Sequence, residues 1–366
     1  MSRLIRKWRI AIFVTPLLFL LTGCWDSKPI DHQGIVLMLS IRASKIPGQY
    51  HWRFVFPNVT LTPGALSTIK PDEEYYDIAV MAPNFADAVM HAQEKSARAL
   101  YLGQLQGIIW NNRLTFRQLW PQINAINAAG TIPKTFWVMG ADGRPLAEYM
   151  NYVSPQIVAP RIALAAYFNC IRCSPIRLGM RGWKFWSSAV SQGISPYVPI
   201  VELKQQSLTV RQIDVYPASG GPPVLYSPLQ TQGFGYLTGK VQRLTLSVPW
   251  HGQTVSISRI SDTRSLHTFQ TASAINVRET LHVKGFIEDI SGQNRVTLQD
   301  ERSISHRAEQ TLLHLCLSTI AYANKTHTDP FGYDRSEAWF HPHAGFLPIH
   351  ATLTVVVTLY GEGLMR

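Results

Sequence analysis

Apolar positions recur with two different periods along this chain, and each stretch of constant period marks an element. Residues 34–41 form a nearly unbroken apolar run that predicts a buried strand, and residues 51–56 alternate apolar and polar as a half-buried strand does. Asn84 stands as N-cap to a helix expected to run to about Leu102. Its stripe is Phe85, Ala88, Val89, Ala92, Ala99 and Leu100, with Glu94 and Arg98 at i,i+4. Residues 105–110 predict a central strand. A second helix is expected from near Thr115, through Phe116, Leu119, Ile123 and Ile126, to a stop before Gly130. Pro121 inside it predicts a kink or a later start. Residues 136–139 then predict a buried strand closed by a turn at 140–143.

Residues 170–235 are rich in Pro, Gly and Ser and predict an irregular middle, punctuated at Ser195–Pro196 and at 219–223, with the main boundary between the two. The last third turns regular. Leu244, Leu246 and Val248 alternate with polar residues, His251–Gly252 turns the chain, and Val255 and Ile257 continue the pattern. Val277, Leu281, Val283 and Ile287 share one face of a further strand. Residues 301–325 carry Ile304, Ala308, Leu312, Leu315 and Ala323 at helical spacing. Ala351, Leu353, Val355, Val357 and Leu359 close the chain as a half-buried strand. This order predicts an α+β fold: a mixed α/β multi-domain chain with a C-terminal antiparallel sheet and one long helix packed on it. The expected division is residues 1–23 as a signal peptide, 24–200 as an N-terminal α/β domain, and 201–366 as a C-terminal α+β domain. The first domain leaves room for a middle subdomain from about 150.

The N-terminus changes the picture most. Arg3, Arg6, Lys7 and Arg9 precede an apolar run at residues 10–21, interrupted only by Thr15 and Pro16, and then Leu21, Thr22, Gly23 and Cys24. Twelve residues span only about 18 Å as a helix, short of a hydrocarbon core of ~30 Å, which favours a cleaved signal over an uncleaved anchor helix. Leu-Thr-Gly-Cys resembles the lipobox of bacterial lipoproteins, in which the cysteine thiol receives a diacylglyceryl group and becomes the new N-terminus. Cys24 is therefore the expected lipid-attachment residue, and two acyl chains suffice for stable anchoring. Losing four cations from a formal charge of +11 leaves the mature chain at +7. That charge suits an anionic leaflet and ordinary solubility equally. No dense Lys/Arg run interleaved with aromatics supports nucleic-acid binding, and 46% hydrophobic residues exclude disorder.

Candidate chemistry is sparse. Cys170 and Cys173 form a lone C-x-x-C with neither a thioredoxin-like setting nor a second ligand pair, so a local disulfide or two ordinary thiols is the better reading, with Cys316 left over. His341, His343 and His350 are the best metal candidates, but acids nearby are few, and no metal site is expected. Asp72, Glu73 and Glu74 read as a solvated loop or helix start. Gly233, Gly235 and Gly239 have the spacing of a loose glycine loop but are expected to make a strand-to-strand turn. The motifs of serine hydrolases, zincins and P-loops are missing. No cofactor is expected, and a binding or assembly subunit is favoured over an enzyme.

Several segments together resemble the C-subunit lipoproteins of bacterial spore germinant receptors, the Ger(x)C family. Gly23-Cys24-Trp25-Asp26 is similar to the family's lipidated start. Residues 96–106 are similar to a family helix ending in a Ser-Arg-x-Leu-Tyr-x-Gly-His segment, with Gln104 in place of the histidine. Residues 233–240 match a shortened glycine segment, and residues 325–332 an Asp-x-Phe-Gly turn after a helix. The resemblance implies a three-domain mixed α/β fold and a non-enzymatic, lipid-anchored subunit on the outer face of the inner spore membrane. It implies partners too: membrane-embedded A and B receptor subunits, with membrane lipid reached through Cys24. A substrate-binding lipoprotein of a transporter is the alternative, although such proteins have two similar lobes and these halves differ. A cell-wall enzyme is a third reading.

Overall fold

The computed structural model describes residues 32–57, 75–152, 163–170, 174–204, 207–290, 297–343 and 345–360. Cys24 and the acidic run at 72–74 lie outside them. The first elements are β1 (Gln33–Ile35), β2 (Met38–Ala43), β3 (Tyr50–Pro57), β4 (Tyr75–Ala82), α1 (Phe85–Glu94), β5 (Ala99–Tyr101), β6 (Gly107–Asn111), α2 (Phe116–Ala128) and β7 (Trp137–Ala141). The middle holds α3 (Leu146–Met150), α4 (Ala163–Asn169), β8 (Met180–Arg181), α5 (Gly182–Val190), β9 (Tyr197–Lys204), β10 (Ser207–Val215), β11 (Val224–Tyr226) and α6 (Pro228–Leu237). The last are β12 (Thr245–Trp250), β13 (Gln253–Gln270), β14 (Ile275–Ile290), α7 (Leu298–Thr326), α8 (Arg335–Phe340) and β15 (Ile349–Tyr360).

The larger sheet has the order β11-β10-β9-β7-β6-β2-β3-β4. Its centre is parallel (β9, β7, β6, β2), and antiparallel strands extend both edges. The central strands are apolar almost throughout, Gly-Ile-Ile-Trp in β6 and Tyr197 to Leu203 in β9, because a parallel sheet covered on both faces leaves them no wet side. The C-terminal half of one edge of β7 pairs with β9, and β8 takes the N-terminal half. The division expected at 200/201 falls inside β9, and the pairing of β9 with β10 carries this sheet on to Tyr226. Much of the middle that the sequence marks as irregular is thus sheet and helix among the described residues, with Pro199 inside β9.

Two other local expectations are corrected. The helix from Asn84 ends at Glu94 rather than near Leu102. Gln93 turns its side chain onto the backbone of Arg98 and Leu100, and Ala99–Tyr101 pairs in parallel with β1 instead. Glu94 and Arg98 are therefore not one turn apart on a helix. Second, Gly233 and Gly235 lie inside α6, not in a turn. A Cβ on Gly233 would overlap the Thr319 hydroxyl of α7, and one on Gly235 would lie 2.9 Å from Ile176. Here glycine serves close packing between elements. α2 starts where expected, with a Thr115–Gln118 capping box, and continues through Pro121.

In the second sheet β12, β13 and β14 are antiparallel, and β15 joins β14 in parallel. The parallel finish follows from α7: a 29-residue helix is about 43 Å long, enough to return the chain along most of β14 before β15 begins. Along β14 every second side chain is buried, and these meet Ile304, Ala308, Leu312 and Cys316 of α7. The β12–β13 hairpin turns through His251 and Gly252, both at positive φ, the geometry of a two-residue type I′ loop. α6 ties the two cores together: Phe234 belongs to the first, while Tyr236 and Leu237 belong to the second.

Candidate functional site

The two halves meet at the turn that follows α7. His327 ends the helix in the left-handed conformation, and Thr328 and Asp329 are then buried. Asp329 organises the turn. Its Oδ1 accepts from the amides of Phe331 and Gly332 at 3.0 and 2.9 Å, and its Oδ2 accepts from the amide of Asp334 at 3.1 Å. Its own backbone reaches the first half: Ser195 N–H donates to the Asp329 carbonyl at 2.7 Å, and the Asp329 amide donates to Ser195 Oγ at 2.9 Å. Burial pushes the Asp329 carboxyl up to about 7, against the pull of the three amides towards the ionised form. Gly193, at positive φ, lets the first half approach closely; a Cβ there would stand 2.5 Å from the Asp334 carbonyl carbon. Tyr226 and Thr328 share a hydroxyl–hydroxyl bond of 2.8 Å beside this contact.

A cavity of about 350 Å³ opens at the junction, with Ser195, Asp329, Asp334, His343 and Phe346 among its walls. His343 Nε2 pairs with Asp334 Oδ2 at 2.6 Å. Asp334 Oδ1 and His343 Nδ1 are buried with no hydrogen-bond partner. His341 is exposed beyond the end of α8, and His350 is exposed on β15. The histidine spacing seen in sequence thus reflects a His–Asp pair, and no group of three or more metal-ligating side chains forms among the described residues.

From this junction α8 projects outward. Ala338 is its buried contact, Ser336 meets Thr268 of β13, and Arg335 donates to Ser187 of α5 at 3.2 Å. Trp339 and Phe340 are left 84% and 76% exposed, against the usual burial of such rings. Nothing in the alternation pattern singled them out, because a two-residue aromatic step has no period.

Of the other sequence candidates, Cys170 is disulfide-bonded, Cys173 lies outside the described residues, and Cys316 is a free, buried thiol whose pKa burial pushes up to about 12. Residues 99–101, within the segment that resembles a family helix end, form an edge strand. Asp329 to Gly332 is the junction turn itself.

Two family descriptions match the chain in order. Residues 26–203 match the spore germination protein N-terminal domain, and residues 226–344 match the spore germination B3/GerAC-like C-terminal domain. A solved structure titled "Crystal Structure of the GerBC protein" superposes with a TM-score of 0.53 over 88% of this chain and 97% of that one, at 13% identity, which speaks to the fold. Comparison with curated proteins gives no match. The fold and the paired domains define a spore germination protein. The chain belongs to the Ger(x)C family of such proteins, the family of germinant-receptor C subunits.

Proposed function

We propose that this chain is the lipid-anchored, non-enzymatic subunit of a germinant receptor, held by Cys24 on the outer face of the inner spore membrane and acting through contacts with the membrane-embedded A and B subunits. The observation that carries the reading is positional. The family match opens at Asp26, two residues after Cys24, so the basic and apolar leader lies outside the matched residues, as expected of a removable signal. No helix among the described residues is long and apolar enough to cross a membrane. Trp339 and Phe340 supply exposed aromatic contact area of the kind that anchors protein interfaces.

Cys24→Ala is expected to move the protein from the membrane to the soluble fraction when it is expressed without its partners. Metabolic labelling with a fatty acid should fall to background in parallel. Firm membrane attachment of the unlabelled variant would sink the anchor assignment.

A further inference from the structure

A second cavity, which shares no lining residue with the junction cavity, has the makings of a ligand site. It measures about 480 Å³, within the range of small-molecule pockets. Its apolar walls are rings: Trp137 at the start of β7, Phe168 of α4, and Trp183 of α5. Two of the rings are held by their neighbours. Trp137 Nε1 donates to Asn169 Oδ1 at 3.0 Å, and the Trp137 and Phe168 centroids lie 5.5 Å apart. Gly179 leaves room for both rings, since a Cβ there would stand 2.9 Å from Trp137 and 3.1 Å from Phe168.

The polar walls are of one sign. Arg177, Arg181 and Lys184 all line the cavity, and among the described residues no Asp or Glu does. The Arg181 guanidinium lies flat on Trp137, its Cζ 3.4 Å from the ring centroid, and it donates to the Thr135 carbonyl. Among the described residues none of the three cations has a carboxylate partner. The positive field extends behind the wall: burial, then Arg177 and Arg264, push the Lys240 ammonium below its ordinary pKa, and the Lys240 carbonyl accepts from the Arg177 amide at 2.7 Å. α5 begins here without a side-chain cap, so its positive dipole end adds to the same field.

Three cations with no carboxylate partner among the described residues line one cavity beside the tilted Trp137 and Phe168 rings, a positive field that a bound anion would neutralise. The geometry points to a binding site for a small organic anion: a carboxylate or phosphate head met by Arg177 and Lys184, and a flat apolar body held against Trp137, Phe168 and Trp183. This goes beyond a subunit that works only through protein contacts, and it does not depend on the anchor at Cys24.

The test is calorimetric titration of the detergent-solubilised full chain at low salt, with micelle blanks, using benzoate, its neutral counterpart benzyl alcohol, and inorganic phosphate. Benzoate is expected to bind saturably, and roughly tenfold or more tighter than either of the others. Arg177→Gln/Lys184→Gln should weaken benzoate by a similar factor with the melting midpoint unchanged; both side chains are exposed, and Lys184→Gln alone serves if the pair fails to fold. No saturable benzoate binding would overturn the site. Equal affinity for benzyl alcohol would remove the cations' role, equal affinity for phosphate would remove the rings' role, and an unaffected variant would place the ligand elsewhere; each overturns the proposal.

Discussion

Asp329→Ala should lower stability by about 3–5 kcal/mol, read as a shift of the urea midpoint with the slope unchanged. The carboxylate accepts three backbone amides at a buried turn. Each buried donor left without a partner costs about 1–3 kcal/mol, and water entering the adjoining cavity would offset part of that. The loss should also be local. The same turn holds Ser195 by two backbone-linked bonds, so amide exchange should accelerate around residues 193–196 as well as 327–334. Asp329→Asn is the discriminating partner. An amide keeps one oxygen for two of the donors, so its cost should be roughly a third of alanine's. A wild-type midpoint for Asp329→Ala would mean that the junction is not held by this turn.

Gly233→Leu is the second large effect, expected to cost about 3 kcal/mol or more. Even the first added carbon would overlap the Thr319 hydroxyl and lie 3.1 Å from the Leu315 carbonyl. Overpacking typically costs ~1–3 kcal/mol when side chains can shift. Here the obstacle includes helix backbone, and α6 contributes residues to both cores. Gly233→Ala should be milder, because alanine recovers about 0.5–1 kcal/mol of helix propensity against the clash. Removing the hydroxyl as well, in Gly233→Ala/Thr319→Ala, should be less damaging than the two single losses added together. Strict additivity in thermal melts would show that the helices do not meet at this point.

These two positions also show what the sequence does and does not reveal. The C-terminal sheet and α7 were legible because each buries one face only: every second side chain of β14, and the row through Ile304, Ala308, Leu312 and Ala323. Buried Glu279 fits that row with Tyr333 Oη donating to it at 2.6 Å, a pairing across 54 residues that no local pattern announces. Gly233 and Gly235 suggest a turn because glycine's local signal is flexibility, whereas Gly233 makes room for Thr319 of a helix far along the chain and Gly235 for Ile176 and Val241. The overshoot past Glu94 has the same origin. Ala99 and Leu100 continue a helical spacing, and only the distant strand Gln33–Ile35 decides against it. The organic-anion pocket was invisible for a stronger reason: its rings and cations come from β7, α4 and the segment around β8 and α5, none of which is periodic in the feature that matters. Cys24 is the reverse case: its proposed role rests on the local sequence alone, the basic and apolar run before Leu-Thr-Gly-Cys.

The central claim is that the chain serves a germinant receptor, and removing it from spores is the most direct measurement. In a strain without paralogous receptors, deleting this gene alone should abolish nutrient-triggered germination while vegetative growth and sporulation proceed normally, and a wild-type copy should restore it. Normal nutrient-triggered germination in the deleted spores would contradict the account.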